Sequence, residues 1–229
     1  MVTLRQAIRS YMIHRSYAFL AGMNNVVYQW EKYRRKGLCD RVIDYIIYGY
    51  HQDRVVKKIG YFKYKEMTLT QAEKELRKSP SILHYYLDFE DIHKEFNMRL
   101  SKINGIGKLT IYDAALRFGF MQSPAVLPKK KVYVYAGAWK GLENLQRYSK
   151  RLGLSLFPVP IKKEGVYDIS LFTTAFGKLP SMFIEDFLCV YEENLDKLDL
   201  INHEDLLKGM HFYGKYPAIK NCFTYNYDF

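Results

Sequence analysis

The stretch INGIGKLTIYDAALRF, residues 103 to 118, decides the fold that we predict for this chain. Two glycines, Gly105 and Gly107, flank a single isoleucine within it. Glycine adopts backbone conformations that other residues avoid, and without a Cβ atom it lets a second molecule approach the chain. Apolar residues recur at helical spacing before and after the glycines, over residues 81–102 and 108–118. We therefore expect a tight hairpin between two helices, with the isoleucine held in the core.

The predicted hairpin places the start of a helix directly beside the two glycines. The first N–H groups of a helix have no acceptor within the helix, and the helix dipole makes this end positive. An arrangement of this kind binds anions, phosphate groups in particular. A short Gly-x-Gly turn also serves as a plain helix cap in many proteins, so a purely structural role stays open as the alternative.

The same stretch resembles the helix-hairpin-helix element of DNA repair glycosylases, polymerases and ligases. The resemblance covers less than a tenth of the chain. It implies that the protein grips the backbone of a nucleic acid, DNA above all, without reading the base sequence. Four residues are implied to meet a phosphate oxygen through their backbone amides, and one lysine adds charge: Gly105, Gly107, Leu109 and Thr110, with Lys108.

The resemblance also implies a cation site, because some members of the family hold a monovalent cation with backbone carbonyls of the hairpin. The matching carbonyls in this chain belong to Ser101, Ile103 and Ile106. The cation would bridge the protein to the phosphate, and no other cofactor is expected.

The larger fold that this element resembles best is the base-excision DNA glycosylase domain. Members of that family carry a catalytic aspartate downstream of the hairpin, and bifunctional members carry a lysine two positions after its last glycine. Here Leu109 occupies the lysine position, and the aspartate window, Ala125 to Lys131, contains no acid. Lys108 is turned by about 100° around the helix from that position and does not inherit the role. We therefore expect a degenerate copy without catalytic residues.

Two other functions remain open on the sequence alone. The first is a diverged glycosylase or lyase with relocated catalytic groups, for which Lys108, Asp113 and Tyr133 are the first suspects. The second is a protein-interaction module, because the chain has 21 tyrosines, each with an apolar ring and a polar tip. A steep loss of affinity with salt distinguishes binding to a nucleic-acid backbone from protein docking.

Charge is distributed unevenly along the chain. Through Lys131 there are 24 Lys and Arg residues against 12 Asp and Glu, whereas the remainder has 11 against 12. A basic half of this kind is typical of proteins that bind a polyanion, although lysines on solvated helix faces give the same count. Basic and aromatic residues interleave from Arg54 to Lys65, which predicts either a surface that stacks on bases or an aromatic edge of the core.

Cysteine usage and hydropathy limit the expected compartment and cofactors. The three cysteines, Cys39, Cys189 and Cys222, are odd in number and too widely spaced for the paired ligands of a zinc site. The first residues of the chain are basic without an apolar core, and no apolar run approaches the roughly 18 residues of a membrane span. We expect a cytoplasmic protein that does not enter a membrane.

The order of the predicted elements indicates a mainly α-helical bundle with a small β contribution after residue 131. A capping box of Thr3 and Gln6 predicts a helix over residues 4–20, with Arg5, Arg9 and Arg15 on its polar face. Other helices are predicted to end at Lys36 and to cover 40–48, 70–79, 139–151 and 181–194, and a strand is predicted at 132–135.

The chain is expected to contain three regions or one continuous domain. A basic helical region covers residues 1–80, the hairpin region covers 81–153, and a mixed region covers 154–229. The proline- and lysine-rich segment 124–131 is the best linker candidate.

The segment AGAWKG, residues 136 to 141, is a second candidate for phosphate binding. A strand, a glycine turn and a helix N-terminus form a generic anion site, to which Lys140 would add charge. The segment lacks the longer glycine pattern of nucleotide-binding loops, and an ordinary strand-to-helix turn is the alternative. With Pro128 and Val132-Tyr133 it resembles a loosely defined group of uncharacterised bacterial proteins that combine such a turn with the hairpin. That resemblance implies one unit over residues 90–145, with the turn near the hairpin.

Overall fold

The computed structural model describes residues 1–16, 19–20, 71, 74–76, 78 and 85–208. Within them, strands β1 (Lys131–Val134) and β2 (Gly165–Asp168) form an antiparallel pair, and short 3₁₀ helices cover Ile169–Phe172 and Leu198–Leu200. The α-helices whose bounds the structure describes are α1 (Leu4–His14), α2 (Phe89–Leu100), α3 (Lys108–Met121), α4 (Ala136–Arg151), α5 (Thr173–Phe176), α6 (Ser181–Val190) and α7 (His203–Lys208). The predicted mainly α-helical fold with a small β contribution after residue 131 is confirmed.

The contacts within the chain divide it into two compact units. The hairpin unit is Gly22–Leu127, and the terminal unit combines Met1–Ala21 with Pro128–Phe229. These limits differ from the predicted boundaries after residues 80 and 153, because the first helix joins the distant C-terminal part of the chain, which local sequence patterns do not reveal. The limit between residues 127 and 128 falls within the predicted linker.

In the hairpin unit, α2 and α3 pack against each other through aromatic side chains. The ring centroids of Phe96 and Phe118 are 5.6 Å apart. The prediction that the first of these helices begins at residue 81 is wrong, because residues 85–88 are not helical. Asp88 is the N-cap instead: its backbone is extended, and its carboxylate accepts the N–H of Glu90 at 3.2 Å.

Helix α3 continues to Met121, beyond its predicted end at Phe118. The sequence suggests that Gly119 follows the helix as its C-terminal cap, and this is also wrong. A Cβ atom at Gly119 would overlap the carbonyl oxygen of Val126, and the N–H of Val126 donates to the Gly119 carbonyl at 2.9 Å. The glycine therefore allows the returning chain to pack directly on the helix.

In the terminal unit, α4 and α6 pack closely on each other, and β1 lies against α6. A Cβ atom at Gly141 of α4 would overlap the carbonyl oxygen of Leu188 in α6, so this helix crossing requires glycine. Helix α4 begins three residues earlier than predicted and ends near Gly153 as expected. Gly153 has a φ of +64°, and its N–H donates back to the Lys150 carbonyl at 3.3 Å.

The second half of the terminal unit departs from the sequence prediction, most clearly at α6 and β2. Helix α6 ends at Val190 instead of residue 194, and turns follow it. Strand β2 was not predicted, because only four residues form it and their apolar alternation is weak. It pairs with β1 so that Val132 lies opposite Tyr167.

Helix α1 begins at the predicted capping box. The Thr3 hydroxyl accepts the N–H of Gln6 at 3.2 Å, and the Gln6 side chain accepts the N–H of Thr3 at 2.8 Å. The helix ends at His14 instead of residue 20, although residues 16, 19 and 20 are again helical. Tyr11 anchors it, with its ring centroid 5.7 Å from that of Phe187 in α6.

Several predictions concern residues outside the described ranges. They are the helix ending at Lys36, the helix over 40–48, the capping residues of the helix over 70–79, the segment Arg54 to Lys65, and Cys39 and Cys222. Within the described ranges, no helix combines the length and the apolarity that crossing a membrane requires.

Candidate nucleic-acid interface

Two isoleucines and two backbone hydrogen bonds hold the hairpin between α2 and α3. The N–H of Ile103 donates to the Leu100 carbonyl, and the N–H of Ile106 donates to the Ile103 carbonyl, each at 3.1 Å. Both isoleucine side chains are buried, with 3% and 9% of their surface exposed. The buried isoleucine side chains therefore fix the turn, while its backbone remains at the surface.

Gly105 occupies a conformation that favours glycine. Its φ of +92° lies in the left-handed region, where a Cβ atom is strained. The residue is exposed, and the backbone path of the turn favours glycine at this position.

Gly107 is a glycine that neither the backbone nor the packing of the described residues requires. It is the N-cap of α3, with a φ of −91° and a ψ of 170°, values that any residue adopts. It is exposed, and a Cβ atom at this position would meet nothing within 4 Å. No side chain caps the helix from this position. The space in front of the helix N-terminus is therefore clear of any side chain from Gly107.

The residues around the hairpin give this site a positive charge. From Phe96 to Tyr112 the chain contains Arg99, Lys102 and Lys108 and no acid. Arg99 forms an ion pair with Glu95. Lys102 and Lys108 are exposed on either side of the turn. The hairpin unit as a whole contains 18 Lys and Arg residues against 12 Asp and Glu. An anion meets no carboxylate in the first turn of α3.

The remaining predicted contact residues at the hairpin lie at the start of α3. Leu109 and Thr110 belong to the first turn of α3, and both are half-buried. Their backbone amides and those of the two glycines therefore belong to one short stretch at the start of the helix. The structure thus brings together the five residues that the sequence assigned to the phosphate contact at the hairpin.

The three carbonyls predicted to hold a monovalent cation also belong to this turn. Ser101 is the C-cap of α2, and the carbonyl of Ile103 already accepts the N–H of Ile106. A carbonyl oxygen has a second lone pair, so this hydrogen bond leaves the donor set compatible with a hard cation. Among the described residues, no group of three or more His, Cys, Asp and Glu side chains is placed to hold a metal ion.

The second candidate for phosphate binding, residues 136–141, already contacts carboxylates of the chain itself. The N–H of Ala136 donates to a carboxylate oxygen of Glu164 at 2.8 Å. Lys140 pairs with Glu192 at 3.3 Å, and the other Glu192 oxygen lies 2.9 Å from the position of a Cβ atom on Gly137. These contacts favour the interpretation of this segment as a structural strand-to-helix turn. It belongs to the terminal unit, so residues 90–145 are divided between the two units.

The suspects for a relocated catalytic site are divided between the two units. Asp113 lies 3.7 Å from Arg117 one helical turn away, and burial lowers the pKa of that guanidinium although the Asp113 charge opposes the change. Lys108 is five residues from Asp113, which turns the two side chains about 140° apart around α3. Tyr133 is buried in β1 of the terminal unit. Asp113 therefore has a structural role as the counterion of Arg117.

A buried polar cluster in the terminal unit was missed by the sequence analysis, which placed Arg15 on a solvated helix face. The Arg15 guanidinium donates to both carboxylate oxygens of Asp186, at 2.9 and 3.1 Å, and the Tyr11 hydroxyl donates to one of them at 2.8 Å. Burial lowers the pKa of Arg15, but Asp186 and Tyr11 outweigh it and raise that pKa. Burial, followed by the Asp186 charge, raises the pKa of Tyr11. The residues are more than 170 positions apart, so no local pattern links them.

The hairpin is thus the described feature whose geometry most resembles a site for an external ligand. Its backbone is exposed and its charge is positive. Gly107, the N-cap of α3, is explained neither by its conformation nor by packing against the described residues. Comparisons of the chain with models of protein families, with characterised proteins and with solved structures found no significant match.

Proposed function

We propose that this protein binds the backbone of nucleic acid, DNA in the first place, through the hairpin and without reading the base sequence. The observation that carries the proposal is Gly107. A glycine whose Cβ position no described residue approaches, and whose conformation is ordinary, is best explained by something that approaches the chain there. The adjacent helix N-terminus, with its positive dipole end, indicates that this partner is an anion.

In this proposal the hairpin binds a phosphate mainly through backbone amides. Gly105, Gly107, Leu109 and Thr110 supply the amides, and Lys108 adds a charge that acts over a longer distance. Contacts to phosphate position a protein on nucleic acid but carry no information about the sequence, because every nucleotide presents the same group. A monovalent cation at the carbonyls of the turn would supply a further positive charge toward the phosphate.

Replacing Gly107 with glutamate is expected to weaken binding to duplex DNA by roughly tenfold or more. The new carboxylate repels the phosphate and blocks its approach to the amides, and charge-assisted hydrogen bonds of this kind are worth about 1.5–3 kcal/mol. Gly107→Gln, which has the same size without the charge, should show an intermediate loss. Fluorescence anisotropy of a labelled duplex measures the three affinities.

The open space at Gly107 makes this substitution a clean one, since no described neighbour has to move and the fold should keep its thermal midpoint. Gln71→Glu is the matched control, because it adds the same charge at an exposed residue of the same unit. It should leave the affinity within about twofold of wild type. If the two glutamate variants bind equally well, the hairpin does not contact the phosphate.

A further inference from the structure

A shallow groove of about 350 Å³ lies in the terminal unit along one side of α4. Trp139, Arg147 and Lys150 line one wall at spacings that place them on the same face of the helix. The opposite wall is formed by Ile161 and Lys162, which lie outside any helix or strand. From Trp139 to Lys150 the helix rises by about 17 Å, so the groove is long compared with a single functional group.

The two walls of the groove are held together by a pair of hydrogen bonds. The Gln146 side chain donates to the Ile161 carbonyl at 3.0 Å and accepts the Ile161 N–H at 2.9 Å. This side chain therefore pairs with the backbone of the opposite segment as a neighbouring strand would. The groove is a formed feature of the fold, and a ligand does not have to assemble it.

The groove has an excess of positive charge. Arg147, Lys150 and Lys162 line it together with a single acid, Glu143. Arg147 is held in place by the Asn144 side chain at 3.1 Å. Within the part of the chain that the structure describes, the side chains of the two lysines form no ion pair or hydrogen bond, and both residues are exposed. Their charge is available to an anionic ligand.

Trp139 supplies an aromatic surface in the same groove. Its side chain is half-buried, and it makes no ring contact or hydrogen bond with any residue in the described ranges. The indole N–H of a buried tryptophan in a protein core usually finds a partner. Such an indole at the edge of a basic groove is typical of a platform on which a base stacks.

We propose that this groove binds single-stranded nucleic acid, with a base stacked on Trp139 and the adjacent phosphates on Arg147, Lys150 and Lys162. An acidic peptide would use the same cations, but it has no planar group that needs an indole. The site is separate from the hairpin: it belongs to the other unit, and it needs an unpaired base where the hairpin needs only a phosphate.

The test uses a short oligothymidylate and the full chain carrying Trp30→Phe, which leaves Trp139 as its single tryptophan. Binding should quench the Trp139 fluorescence. With a labelled oligonucleotide, Trp139→Ala should bind roughly tenfold more weakly or worse, and Trp139→Phe should recover part of the affinity because it keeps a ring.

The lysines are tested by the salt dependence of the same binding. Lys150→Gln should make the slope of log affinity against log salt concentration shallower by about 0.7. Lys178→Gln changes an exposed lysine outside the groove and should leave that slope unchanged.

Three results would overturn this proposal: no quenching on saturation, full affinity in a folded Trp139→Ala variant, or displacement of the oligonucleotide by polyglutamate as readily as by polyphosphate. Thermal unfolding of each variant checks that the fold is retained. The Trp139 quenching does not depend on binding at the hairpin. Gly107→Glu should reduce duplex binding and leave the Trp139 quenching unchanged, so failure at one site does not imply failure at the other.

Discussion

Replacing Asp186 with alanine is expected to lower the free energy of unfolding of the terminal unit by about 3–5 kcal/mol. The substitution leaves the Arg15 guanidinium and the Tyr11 hydroxyl without the carboxylate that both of them bind. Only 18% of the Arg15 side chain is exposed, so water replaces the lost partner poorly. Breaking one partner of a buried pair is costly because an uncompensated charge remains.

Urea unfolding followed by Trp139 fluorescence in the Trp30→Phe background measures this effect, because Trp139 lies in the same unit as Asp186. Tyr11→Phe is the matched comparison. It keeps the ring contacts with α6 and removes one hydrogen bond to a charged group, for a loss of about 1.5–3 kcal/mol. A stability of Asp186→Ala within about 0.5 kcal/mol of wild type would mean that the cluster does not hold α1 against α6.

Gly141→Ala is expected to destabilise the same unit by about 3 kcal/mol, although alanine is the better helix former. The added methyl group would overlap the carbonyl oxygen of Leu188, and a backbone atom cannot move away without shifting the whole of α6. The sign of the change in stability is informative. At an open position in a helix, replacing glycine with alanine would raise the free energy of unfolding by up to about 1 kcal/mol.

Gly107→Ala is the control for this substitution. It adds the same methyl group at a position where no described residue lies within 4 Å, so it should cost only the roughly 0.5–1 kcal/mol by which alanine is a poorer N-cap than glycine. Differential scanning calorimetry compares the two variants. A Gly141→Ala protein that is as stable as wild type would contradict the close crossing of α4 and α6.

The parts of the fold that depend on neighbouring residues could be predicted from the sequence. The capping box at Thr3, the end of α4 near Gly153 and the hairpin at Gly105 are each set by a few adjacent residues whose side-chain size and backbone freedom decide the local structure. The buried positions of Ile103 and Ile106 follow from the same local argument.

The parts that depend on distant residues could not be predicted in this way. Gly119 resembled a helix cap in the sequence, but its role comes from the return of Val126, and Gly141 is explained only by Leu188 on another helix. The helical pattern places Arg15 on a solvated face, but in the fold its guanidinium binds the carboxylate of Asp186. The groove beside Trp139 has the same origin, since its second wall follows α4 by ten residues and is joined to it by one glutamine.

The same distinction applies to the candidate sites. The hairpin turn can be predicted because its residues are contiguous, whereas the carboxylates that contact the competing turn at residues 136–141, Glu164 and Glu192, lie far along the chain. An isolated glycine motif therefore indicates where an anion could bind. Whether an anion can bind there depends on whether the fold places carboxylates of the chain itself against the same N–H groups and lysines.

The salt dependence of DNA binding tests the central claim most directly. We would measure the affinities of wild type and Gly107→Glu for two duplexes of unrelated sequence across a range of salt concentrations. The account predicts equal affinities of wild type for the two duplexes, a linear fall of log K with log salt at a slope of about −0.9 for each neutralised phosphate, and weaker binding by the variant throughout. Equal affinities of the two proteins, or no binding by wild type below about 0.1 M salt, would contradict it.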